Sequence, residues 1–141
     1  MMWISTSERC MDDLHMLLYA EKPAYIAIRE WRPINTASEI RCFARNGKLL
    51  GVTRYDYRNE PRWDWATHEE QILDLATAFY DQHLAAHYPD VVFDLAPDQR
   101  SDAGTPLLIE LNPYGLSDPC CFASYDEIET EGGLRFTRKA R

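Results

Sequence analysis

The chain has 141 residues, of which 45% are hydrophobic and 27% charged, and a formal net charge of −8. That length buries a core without help from disulfides or a structural metal, and one globular domain over 1–141 is expected. No apolar run approaches the roughly 18 to 20 residues that cross a bilayer, and the acidic balance argues against broad nucleic-acid binding, which needs a basic face to displace phosphate counterions.

The opening "MMWISTSERCMDDL" lacks the basic segment, apolar core and small-residue cleavage site of a secretory signal. Cys10, Cys42, Cys120 and Cys121 form no C-x-x-C and fit neither a disulfide framework nor a zinc knuckle. Reduced thiols packed as small apolar groups, in a cytoplasmic protein, are expected. The expected partner is a protein, or a ligand whose charge meets a local basic cluster.

In chain order, "STSERCMDDLHMLL" sets Ser5 three residues before Glu8, a capping-box spacing, and puts Cys10, Met11, Leu14, Leu17 and Leu18 on one helical stripe. A helix over about 6–20 follows, stopped by Pro23. "AYIAIREW", residues 24–31, mixes β-branched and aromatic residues and reads as a short strand ending near Pro33. In "SEIRCFARNGKLLGVTRYDY", Asn46-Gly47 between two strand-like runs is the chemistry of a type I′ hairpin, because both residues tolerate positive φ. A two-residue loop then sets Arg45 opposite Lys48, Phe43 opposite Leu50, Arg41 opposite Val52 and Glu39 opposite Arg54. Near the turn both faces are mostly apolar, as in a sheet covered on two sides, whereas Glu39, Arg41 and Arg54 share one face far from it.

"THEEQILDLATAFYDQHLAAHYPD" repeats the capping pattern with Thr67 and Glu70 and lines up Ile72, Leu73, Ala76, Phe79, Tyr80 and Leu84, predicting a helix over about 68–87 ended by Pro89. "VVFDL" and "LLIELN" read as strands joined by the polar "APDQRSDAGTP", and "SYDEIE" as a last short helix. The order helix, three strands, helix, two strands predicts an α+β domain: a mainly antiparallel sheet with the long helix packed on it.

Strand alternation puts Asp94 on one face of its strand and Glu110 and Asn112 on one face of the next. An antiparallel register whose pairs sum to about 204 sets Asp94 opposite Glu110. Two carboxylates so placed repel, and a bound cation removes the repulsion. With Asn112 they make an all-oxygen set suited to Mg²⁺. The alternative is a solvated sheet edge that holds no ion, where neutralising the ion-free pair stabilises the fold. Arg41 and Arg54, steered by Glu39, suit a phosphate; an ordinary cross-strand ion pair between Glu39 and Arg54 explains them equally well. His83 and His87, one helical turn apart, have no further ligand nearby in sequence. Cys120-Cys121 reads as packing before reactive thiol, and Trp63 and Trp65 as either an exposed contact surface or a lid over the core.

Taken together, "IREWRPINTASEIRCFARNGKLLGVTRYDY", "VVFDLA" and "LLIELNPYGLSDPCCFASYDEIE" resemble the C-terminal half of the ATP-grasp fold. The nearest pattern is that of the eukaryotic cell-division-cycle proteins that assist assembly of a translation-initiation factor, and of related phage-borne ATP-grasp proteins. There a strand reading approximately E-F-R-C-F-V returns through a Q-R-D-like segment, and a long helix precedes D-V-Y and then I-D-F-N-P. The resemblance implies ATP or ADP and Mg²⁺ as cofactors, with Asp94, Glu110 and Asn112 as metal ligands. It implies contacts from Arg41 and Arg54 to nucleotide phosphates, and contacts from the backbone of Ile28, Arg29, Glu30 and Trp31 to adenine. The chain opens almost at the second half of that pattern, so the first lobe, with its phosphate-facing lysines, is expected to be absent. A chaperone-like protein that binds a partner is therefore the expected function. Its rivals are an ATP-dependent ligase or kinase completed by a second copy or another subunit, and a degenerate phage-type inhibitor that binds no nucleotide.

Overall fold

The computed structural model describes residues 8–23, 25, 30–59, 65–97 and 105–138. The chain divides into two compact units, residues 1–32 and 33–141.

In the first unit, helix α1 (Glu8–Tyr19) matches the expected stripe at Met11, Leu14 and Leu17, which are half-buried. Leu18, expected on that stripe, is 73% exposed. The Lys22 N–H reaches the Leu17 carbonyl at 2.9 Å, and Glu21 takes φ 52, so the helix closes in a Schellman-type turn with glutamate where glycine is usual. Ser5 lies outside the described residues. So does most of the strand expected at 24–31; Tyr25, Glu30 and Trp31, which are described, belong to no strand.

The second unit is built on the hairpin of β1 (Ile40–Arg45) and β2 (Lys48–Arg54). Asn46 and Gly47 have φ of 53 and 73, as a type I′ turn requires, and Asp90 Oδ1 accepts the Asn46 N–H at 2.7 Å. The register departs from expectation one step into the ladder. Arg45 faces Lys48 and Ala44 faces Leu49, but Phe43 faces Gly51, leaving Leu50 as the extra residue of a bulge. Beyond it Arg41 pairs with Thr53 and Ile40 with Arg54. A one-residue shift moves every later side chain to the other face, so Arg54 stands on the face opposite Arg41.

Helix α2 (Glu69–His83) follows a short 3₁₀ turn at Ala66–His68 and is shorter at both ends than its periodicity predicts. Its N-cap is His68, which makes no side-chain capping bond, and Thr67 lies within the 3₁₀ turn. Strands β3 (Val91–Pro97) and β4 (Pro106–Asn112), helix α3 (Tyr125–Thr130) and β5 (Gly133–Arg135) complete the unit. The sheet runs β4-β3-β1-β2-β5, antiparallel except where the short β5 lies parallel to β2. The α+β architecture and mainly antiparallel sheet are those expected.

Each face of the sheet has its own core. Ile72, Ala76 and Tyr80 of α2 cover Ile40, Cys42, Ala44, Val52, Phe93 and Leu95, with the Tyr80 ring stacked on Phe93 at 5.8 Å. On the other face Phe122 and Ile128 close over Phe43 and Val92. Each large side chain so buried contributes roughly 1.5 to 3 kcal/mol relative to exposure. Trp65 is buried against Phe136 at 4.9 Å, the core-lid reading; Trp63 lies outside the described residues. Cys42, Cys120 and Cys121 are free and buried, as expected of packing thiols.

Candidate functional site

The α3 face of the sheet changes character along β1. Two residues from Phe43, whose ring packs on Phe122, the strand puts Arg41 on the same face. The ladder then aligns one row across the sheet: Glu110 opposite Asp94, Asp94 opposite Arg41, Arg41 opposite Thr53 and Thr53 opposite Arg135. The register that alternation predicted for Asp94 and Glu110 is the one found.

Asp94 is fully buried and lies between Glu110 and Arg41. Arg41 donates to it through a fork, Nε to Oδ1 at 2.9 Å and Nη2 to Oδ2 at 2.8 Å. Burial alone would weaken Arg41 as a base, but the bonds to Asp94 and its charge outweigh that and raise the pKa above the ordinary arginine value. The third arm of Arg41, Nη1, donates to the Asp118 carbonyl at 3.2 Å, and the guanidinium lies over the Tyr55 ring at 4.8 Å.

A cleft of about 380 Å³ opens beside Arg41, lined among others by Glu39, Tyr55, Asp56, Tyr57 and Asp118. Asp118 ties its walls together: Tyr57 donates its hydroxyl at 2.7 Å, Arg58 approaches at 3.4 Å, and the Cys120 N–H donates at 2.9 Å. Burial would raise the Asp118 pKa, but these donors and charges hold it below the usual carboxylate value. Cys120 also lines the cleft; burial pushes its thiol up to about 12, so the reactive thiolate is disfavoured.

Glu39 is the residue whose role the sequence misassigned. The bulge removes it from Arg54, which instead donates through Nη2 to the Tyr57 carbonyl at 3.1 Å, so neither the expected ion pair nor a shared phosphate face forms. Burial, with the charges of Asp94, Glu110 and Asp56, raises the Glu39 pKa to about 7 despite the opposing pull of Arg41. Burial is the largest cause of that shift, and the carboxylates of the Asp94 row add to it.

Asp94, Glu110 and Asn112 fit Mg²⁺ in donor type, while both carboxylate oxygens of Asp94 already accept from Arg41. Asn112 stands two pairs along the ladder, opposite Val92. Among the described residues no three His, Cys, Asp or Glu side chains gather as a metal cluster. The His83 ring lies tilted against Phe79 at 4.8 Å, and His87 lies edge-on to Tyr88. Ile28 and Arg29 lie outside the described residues, whereas Glu30 pairs with Arg32 at 3.2 Å and Trp31 is exposed.

A model of the D123 family matches residues 5–140. The translation initiation factor eIF2 assembly protein of Xenopus laevis is 28% identical over 106 residues, 73% of this chain and 30% of that protein. Cell division cycle protein 123 of Aspergillus terreus is 30% identical over 110 residues, 73% of this chain and 24% of that protein. The chain therefore spans less than a third of these curated relatives. The structure of Cdc123 from Schizosaccharomyces pombe superposes with a TM-score of 0.73 at 21% identity, covering 96% of this chain and 59% of that one. This is a likeness of fold.

Proposed function

The chain belongs to the D123 family, and on that premise we propose that it binds a protein partner as an assembly factor and carries a Mg²⁺-nucleotide site on the α3 face of its sheet. The partner half draws on the relatives described as eIF2 assembly proteins, which supply the class of partner: a subunit of a translation initiation factor. The nucleotide half rests on one observation, the row Glu110, Asp94, Arg41 beside the cleft. The architecture proposed for it is the second lobe of an ATP-grasp fold.

In this reading Asp94, Glu110 and Asn112 hold Mg²⁺, and Arg41 turns its remaining donors toward phosphate oxygens. Arg54, on the opposite face, takes no part. Bound there, the ion would neutralise phosphate charge. The backbone of Ile28 to Trp31 is proposed to meet adenine. Arg41 and Asp94 neutralise each other and so offer the fixed geometry that nucleotide binding requires, but they supply neither a nucleophile nor a general acid. Binding, not turnover, is accordingly the proposed activity.

Titration calorimetry of the chain with Mg²⁺-ATP and Mg²⁺-ADP is the test, with Glu110→Gln as the control because it leaves the Arg41 fork intact. Saturable heat that weakens roughly tenfold or more in the variant supports the site. No heat at millimolar nucleotide sinks the nucleotide half and favours the interaction-only module. ATP turnover would move the ligase or kinase reading ahead. The partner half fails if purified eIF2 subunits show no binding to the chain.

A further inference from the structure

We propose that the cleft takes the guanidinium of an arginine side chain from the protein partner, with the Glu39 carboxylate as its counter-ion. This rests on the partner-binding half of the proposed function and names the chemistry the partner presents; it makes no use of the magnesium ligands.

Glu39 is only 8% exposed, yet it lines the cleft, and its side chain makes no hydrogen bond or ion pair among the described residues. Every other charged group on the cleft wall has a hydrogen-bonding partner, which for Asp56 is a neutral amide. Arg41 is forked on Asp94, Arg58 approaches Asp118, Asp118 accepts from Tyr57, and Asp56 Oδ1 accepts from the Asn59 amide at 2.6 Å. Among the described residues one nearly buried carboxylate is left over, and it lines the cleft. A largely buried charge without a counter-ion is unfavourable, so a cation delivered through the cleft is favoured there.

The volume, about 380 Å³, is at the small end of ligand sites and holds a long side chain. The walls include Tyr55 and Tyr57, and the site already displays the arrangement invoked, a guanidinium forked on a carboxylate with a ring beside it, in Arg41, Asp94 and Tyr55. Arginine suits such a place better than lysine because its charge is delocalised, weakly hydrated and able to stack. The net charge of −8 draws basic surfaces toward the chain.

The test is an amide-resolved NMR titration of the whole chain with the capped tripeptides Gly-Arg-Gly, Gly-citrulline-Gly and Gly-Lys-Gly, and with MgCl₂ alone. The expected result is saturable millimolar binding of the arginine peptide that shifts residues 39, 55 and 57, weakened at least roughly fivefold for citrulline, for lysine and in Glu39→Gln. Thermal melting of Glu39→Gln at or above wild type shows that the loss is not unfolding. Equal binding of citrulline, or undiminished binding by Glu39→Gln, overturns the proposal, and equal binding of lysine overturns the choice of guanidinium. Saturable Mg²⁺ shifts at the same amides without peptide binding also overturn it, making Glu39 an ion ligand. A partner whose affinity ignores Glu39→Gln sinks this inference alone, whereas peptide binding with no partner binding sinks the partner reading alone.

Discussion

Asp94 makes the sharpest claim at the scale of single residues. Were the Asp94 and Glu110 pair an isolated repulsion, neutralising both would stabilise the fold; the fork from Arg41 reverses that for Asp94. Asp94→Asn strips a buried guanidinium of its counter-charge and is expected to cost about 3 to 5 kcal/mol in chemical denaturation. Glu39 carries a pH signature. Its folded pKa of about 7 lies above the ordinary 4.5, so the stability it contributes is fully present below about 4.5 and is lost as the pH rises through about 7. Melting temperatures of wild type and Glu39→Gln should therefore nearly coincide at pH 4, with the variant ahead at pH 8 by a gap that opens mostly between the two pKa values; a gap independent of pH would refute the assignment. Alternation, with an antiparallel register summing to about 204, made the Asp94 and Glu110 pairing legible: period two fixes the face and one loop the neighbour. The isolation of Glu39 was not legible, since it depends on a bulge that no residue type announces.

At the scale of elements, that bulge links β2 to the C-terminal segment. The extra residue, Leu50, sends its carbonyl toward Gly132, where an added Cβ would lie 2.5 Å from that oxygen. Gly132 also has φ 57. Gly132→Ala must therefore push backbone against backbone in a strained conformation, and about 3 kcal/mol of destabilisation is expected. At Gly47, with φ 73 and nothing within 4 Å, alanine meets only the conformational penalty and should cost about 1 kcal/mol. Equal losses at the two sites, measured by urea unfolding, would show that contact with Leu50 carries no weight. Long strands and the helix with a steady stripe were readable because their periods persist over many residues. Strand β5 was not, because Gly133–Arg135 is too short to show a period and its parallel pairing to β2 is set by the turn around Gly132. The ends of α2 moved inward for a related reason: the apolar stripe continues to Leu84, but Ala85 bonds back to the Tyr80 carbonyl and begins the turn toward Pro89.

For the whole molecule, charge divides association into two steps that different measurements separate. A net charge of −8 acts at long range and is screened over about 8 to 10 Å at physiological salt, so it affects how often a basic partner arrives. Glu39, nearly buried at the cleft, acts only once the partner has docked and so affects how long it stays. Raising NaCl from about 0.05 to 0.3 M should slow association with a basic partner several-fold and leave dissociation nearly unchanged. Glu39→Gln should do the reverse, speeding dissociation with little effect on association. Surface-resonance kinetics on both proteins at both salt concentrations make a four-way comparison. If the variant loses affinity through association alone, Glu39 is one more surface charge in the acidic field. If salt and the substitution both act on dissociation, the partner reaches the cleft by contacts that the net charge does not describe.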